Sequence, residues 1–236
     1  MIEKSYRVAD KVVTVHSIYE MVHDVFNDYR TDEAPDYEIW ITEDDIANER
    51  AATKSGCSTC RSAYLEVLAV YRKMAEQLVE FDRILFHGSV VAVNGQGYLF
   101  SAKSGVGKST HASLWLEHLS NAATIINDDK PLLYVDKDRV VAYGTPLNGK
   151  HNRGTNASVP LKAICFLHRD IENHIERVTF KEHRSDLLGQ VYWPAELSRQ
   201  LKTLALIDQL ERLVEAYSLG CNTDVSAARV SYEGMR

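Results

Sequence analysis

The chain has 236 residues, 45% of them hydrophobic, and a formal charge of −6 from 33 acidic and 27 basic side chains. That length and apolar content suit one large α/β domain or a core with a small subdomain, and the acidic balance argues against a nucleic-acid partner. No apolar signal core follows Met1 and no run is long enough to span a membrane, so a cytoplasmic protein with no membrane partner is expected.

Residues 1–80 read as a small α/β segment. Tyr6 to His16 alternates loosely as one strand would, with Val8, Val12, Val13 and Val15. Ile18 to Tyr29 has helical spacing through Met21, Val22, Val25 and Phe26, and Tyr37 to Ile41 is a short strand. Thr42-Glu43-Asp44-Asp45 resembles a helix start, with acidic residues at the positive end of the dipole. Cys57 and Cys60 form a lone C-x-x-C pair. Zinc would need two more ligands, so free thiols are the simpler reading. Ser62 to Phe81 carries apolar residues at spacings of three and four, the core stripe of a helix.

From residue 81 onward the texture changes to a core domain running to residue 236. Ile84 to His87, Ser89 to Val93 and Tyr98 to Ser101 are strands, the last two joined by the hairpin turn Asn94-Gly95-Gln96-Gly97. Ala123 to Asn127 is a further strand. Leu132 to Val135 and Val140 to Tyr143 flank a polar turn, and Leu161 to Leu167 is a buried strand. The chain from about Arg184 reads as mostly helical, an apolar half that offers a homo-oligomer interface. The expected fold is α/β, a mixed sheet covered by helices.

Between the strand ending at Ser101 and the next helix lies Ala102-Lys-Ser-Gly-Val-Gly-Lys-Ser109-Thr110. This is the phosphate-binding pattern G-x-x-x-x-G-K-[ST], with Ala102 in place of the leading glycine. Residues Ser104, Gly105, Val106, Gly107, Lys108, Ser109 and Thr110 would surround the phosphates of a donor. Glycines turn backbone N–H groups inward, Lys108 supplies a point charge and the Ser109 hydroxyl ligates Mg²⁺. Alanine at position 102 preserves the turn if its φ is negative. One helix later, Asp128-Asp129 ends an apolar strand. A strand–helix–strand unit places both features at the carboxyl ends of parallel strands. One carboxylate can then hold the cation while the other accepts the proton of an attacking hydroxyl. His87, one hairpin upstream, is placed to hydrogen-bond Asp128. The segment Gly144 to Gly154 has the composition of a lid or of a solvated loop, with Lys150 or Arg153 as cations for the transferring phosphate.

Taken in order, His87-Gly88, the Asn94–Gly97 hairpin, the loop through Ser109 and Asp128-Asp129 resemble the HPr-kinase branch of the phosphoenolpyruvate-carboxykinase-like superfamily. The match covers residues 84 to 135. The resemblance implies Asp128 as catalytic base, His87 as its partner, Lys108 on the phosphates, and Ser109 with Asp129 on the metal. The E-x-R-G-x-G type segment of HPr kinases has no good counterpart here, because Arg153-Gly154 lacks its surroundings. The N-terminal part is also shorter than theirs. An HPr kinase proper is therefore not expected. The expected activity is Mg²⁺-dependent phosphoryl transfer from ATP, ADP or pyrophosphate to a hydroxyl of a small molecule, a serine or a peptide. The rival is a nucleotide-responsive ATPase or regulator without such an acceptor. A GTPase is disfavoured, because no N-K-x-D segment is present.

Overall fold

The computed structural model describes residues 1–52, 61–149 and 152–236, so Cys57, Cys60, Lys150 and His151 lie outside the described residues. The chain divides into two compact units, Met1–Phe81 and Asp82–Arg236. Among the described residues no helix is long and apolar enough to cross a membrane.

The first unit opens with a hairpin of β1 (Ile2–Val8) and β2 (Lys11–Ser17), where a single strand over Tyr6–His16 was expected. The reversal falls at Ala9-Asp10, both with positive φ, a turn that carries neither Gly nor Asn to announce it. The 5-residue α1 (Met21–Val25) follows, far shorter than the Ile18–Tyr29 periodicity implies. Next come β3 (Tyr37–Trp40), parallel to β2, and α2 (Glu43–Ala52). Thr42 and Asp45 exchange backbone and side-chain hydrogen bonds at the start of α2, as a capping residue and its partner do. The long α3 (Ser62–Leu78) packs on α1 and α2. Its buried Glu66 accepts the N–H groups of Ile18 and Tyr19 at 2.5 and 2.9 Å, so this carboxylate in the apolar stripe is satisfied by backbone.

In the second unit, β4 (Arg83–Leu85) precedes the hairpin of β5 (Ser89–Val93) and β6 (Gln96–Ser101), turned at Asn94-Gly95, both with positive φ. Then follow α4 (Lys108–Leu119), β7 (Ala123–Asn127), and the hairpin of β8 (Leu132–Val135) and β9 (Val140–Tyr143). The twelve-residue β10 (Ser158–Arg169) is the axis of the sheet. Its first three residues pair with β9, and its later ones pair parallel to β6 and to β12 (Glu215–Cys221). The strand β11 (His174–Val178), and the helices α5 (Arg184–Leu188), α6 (Leu197–Leu213) and α7 (Ser226–Met235), complete the unit.

The sheet is mixed and its two faces bury separate apolar clusters. One centres on Ile84, Leu99, Ile164 and Ile207, the other on Phe100, Trp115, Cys165 and Leu219. The C-terminal part is therefore not simply helical. Glu215–Cys221 is a strand held on both sides, because its alternate faces meet both clusters and its backbone groups pair with β10 and β11.

Candidate functional site

Strand β5 lies between β6 and β7 and is antiparallel to both, so β6 and β7 run in the same direction. The segment after β6 and the segment after β7 consequently emerge at the same end of the sheet. Together with His87 and Gly149 they enclose a cleft of about 470 Å³ lined by Ser104, Gly105, Gly107, Lys108, Ser109, Thr110, Asp128 and Asp129. All the expected residues of the loop except Val106 thus share one cleft with both carboxylates. Val106 borders two adjoining cavities of about 520 and 380 Å³ instead.

The loop is shaped by backbone. Gly105 and Gly107 have φ of +82° and +131°, conformations that L side chains rarely adopt. Ala102 is buried and is not among the positive-φ residues, so the missing first glycine leaves the turn intact. Gly107 caps α4, and the first-turn residues Lys108, Ser109 and Thr110, whose N–H groups have no partner within the helix, line the cleft. Lys108 is only 8% exposed, and its Nζ donates to the Ala102 carbonyl at 2.8 Å. Burial lowers its pKa, while Asp129 and Asp128 pull it back up.

The acidic turn is shaped by side chains. Asn127 is fully buried, and its Oδ1 accepts the N–H groups of Asp129 and Lys130 at 2.9 and 2.6 Å. Its Nδ2 lies 2.9–3.3 Å from Thr145 O, Thr145 Oγ1, Leu147 O and Asn148 Oδ1, which ties the turn to the Gly144–Gly149 segment. Asp128 is 5% exposed, with Oδ1 accepting from Ser89 Oγ at 2.8 Å.

His87 does not pair with Asp128. Its Nε2 is 3.5 Å from Asp129 Oδ1. The physical reason is the local ladder. Phe86 and Gly88 donate to the carbonyls of Pro131 and Asp129, which sets His87 beside Asp129, while the Ser89 hydroxyl takes the place at Asp128. Burial is the main cause of a lowered His87 pKa, reinforced by Lys108 and opposed by Asp129, so the imidazole is neutral near pH 7.

Arg153 also departs from expectation. Its Nη1 donates to Ser113 Oγ at 2.7 Å, one turn along α4 from Ser109, and it does not line the cleft. The guanidinium that does meet the loop is Arg169, at the end of β10, whose Nη2 donates to the Gly105 carbonyl at 2.6 Å. Arg169, Ser89 and Asn127 carry no motif signal; each is identified only by the strand end it occupies.

The donor set fits the chemistry of a phosphate with a hard cation. The lining combines loop backbone, the Lys108 ammonium, the Ser109 and Thr110 hydroxyls and the carboxylates of Asp128 and Asp129.

No family model and no curated protein matches this chain. Among solved structures it is similar to the HPr(Ser) kinase/phosphatase from Coxiella burnetii, with 12% identity over 54% of this chain and 97% of that one, at a TM-score of 0.30. At that TM-score the likeness carries no weight for the chemistry of the cleft.

Proposed function

We propose that the chain is a phosphotransferase of HPr-kinase-like type. It moves a phosphoryl group from a nucleotide, or from pyrophosphate, to a hydroxyl of a small molecule or a serine-like side chain. The observation that carries this reading is the single cleft shared by the Gly105–Thr110 loop, Lys108, Asp128 and Asp129. Ser104 to Thr110 cradle the donor's phosphates, and the buried Lys108 ammonium neutralises charge on them as it leaves the Ala102 carbonyl. Ser109 and Asp129 would hold Mg²⁺, which draws charge from the phosphate oxygens when bound.

Asp128 is the base. Ser89 fixes one of its oxygens, and the other takes the acceptor's proton while the acceptor oxygen bonds to phosphorus and the bond to the leaving phosphate breaks. His87 is neutral and lies against Asp129, so it orients that carboxylate and adds no positive charge near Lys108.

The test is transfer from labelled ATP with Mg²⁺ across hydroxyl metabolites, serine peptides and HPr. ADP and pyrophosphate follow as donors. Label on one acceptor, reduced about 10²–10⁴-fold in Asp128→Asn with nucleotide binding retained, is the expected result. Free phosphate alone, also lost in the variant, would replace this reading with an ATPase. Transfer undiminished in Asp128→Asn would overturn the role of that carboxylate.

A further inference from the structure

At the far edge of the same sheet end, three side chains that the phosphotransfer reading does not use converge. His168 on β10 and His174 on β11 are both in register with Gly220 on the strand between them. Residues in register on neighbouring strands project to the same face, so two imidazoles flank a position that has no side chain. The His174 ring lies directly over Gly220, where an added Cβ would be 2.2 Å from His174 Cε1. The gap lets the two rings approach to 5.8 Å between centroids, in an edge-to-face arrangement. Asp170, two residues beyond His168, reaches the same face, and its N–H continues the ladder by donating to the Cys221 carbonyl. One potential ligand atom from each of His168, Asp170 and His174 lies within 4.8 Å of the other two.

We propose that His168, Asp170 and His174 form a binding site for a borderline divalent metal ion of the zinc class, with Gly220 as its floor. Two imidazoles and one carboxylate are the donor set such ions favour, and an open coordination position faces solvent. A tetrahedral ion with bonds of about 2.0–2.1 Å spaces its ligands about 3.3 Å apart, a closure that torsions of three exposed side chains supply. The surroundings are already set for ligation. His174 Nδ1 lies 3.2 Å from the Glu172 carbonyl, which fixes the proton on Nδ1 and leaves Nε2 with its lone pair, the arrangement that metal-bound histidines adopt. The N–H groups of Ile171 and Glu172 both go to Asp170 Oδ1, so Oδ2 is left for the ion. Arg169, between two of the ligands, braces the Gly105 carbonyl, so an ion here fixes the strand end that supports the loop.

Zinc binding to the full chain, followed by competition with a chromophoric chelator, reads the site without reference to phosphoryl transfer. Cobalt(II) absorption then reports which atoms ligate. The wild type is expected to bind zinc, with cobalt bound at a site free of any thiolate charge-transfer band. His168→Gln, His174→Gln and Asp170→Asn should each weaken binding about tenfold or more. Because all three positions are exposed, melting temperatures without metal should be unchanged, which separates lost ligation from lost fold. Absence of zinc binding, unchanged affinity in the three variants, or a thiolate band accounting for all the bound cobalt would overturn the proposal.

Discussion

The glycine loop and the acidic turn line one cleft, yet they are built in opposite ways. Residues 102–107 owe their shape to backbone freedom. Two positive-φ glycines curve the chain, Ser104 and Gly105 are exposed, and the bracing contacts reach main-chain carbonyls. Residues 127–130 owe theirs to one buried amide, Asn127, whose oxygen gathers the turn and whose nitrogen anchors the next segment. A loop made from backbone can adapt to a ligand. A turn held by a buried side-chain network keeps two carboxylates in place before any ligand arrives.

The sharpest way to break that contrast is Asn127→Leu. It orphans the N–H groups of Asp129 and Lys130 and cuts the tie to Thr145, and about 4 kcal/mol of stability should be lost in chemical denaturation. A cost below about 1 kcal/mol would show that the turn holds without its hub.

Behind the loop, His111 on the first turn of α4 tests the opposite wall. It is buried, bonded to Ser231 at 3.0 Å and packed edge-on against Phe100, and burial lowers its pKa from 6.5 to about 4. Its folded value lies below its unfolded one, so as pH falls below 6.5 the unfolded chain takes up the proton first. The stabilisation is whole above pH 6.5 and is lost as pH drops toward 4, by about 3 kcal/mol. The loss of stability across this window should be shallower in His111→Gln, measured by denaturation from pH 7 to 4.

Ser89→Ala removes the hydroxyl that holds Asp128 and should cost about 2 kcal/mol, expressed as slower transfer at unchanged donor affinity. The smallest effect belongs to the loop. An added Cβ at Gly105 meets nothing within 4 Å, so Gly105→Ala carries only the strain of positive φ, about 1 kcal/mol in a thermal melt. If Gly105→Ala proved costlier than Asn127→Leu, the contrast between the two walls would be reversed.

Local chemistry made much of this legible. The Asn94-Gly95 turn, the α3 stripe, the loop glycines and the strand ending at Asn127 are each written in consecutive residues, because turn geometry and helical spacing act over a few positions. The Glu215–Cys221 strand was not legible, since it follows directly on α6 and becomes a strand only by pairing with β10 and β11. His87's partner was misread for a related reason. The carboxylate an imidazole meets depends on ladder register, and the ladder sets His87 against Asp129 while Ser89 fills the place at Asp128.

The sequence by itself determined the loop, the acidic pair and their order along the chain, because those depend on residue type and spacing. Only the tertiary structure decided that Arg169 and not Arg153 braces the loop, that Asn127 ties the acidic turn to Thr145 and Asn148, and that His168 and His174 meet across Gly220. Each of those contacts joins residues brought together by strand pairing or by the packing of loops on the sheet, and neither spacing nor composition encodes which partners that packing will select.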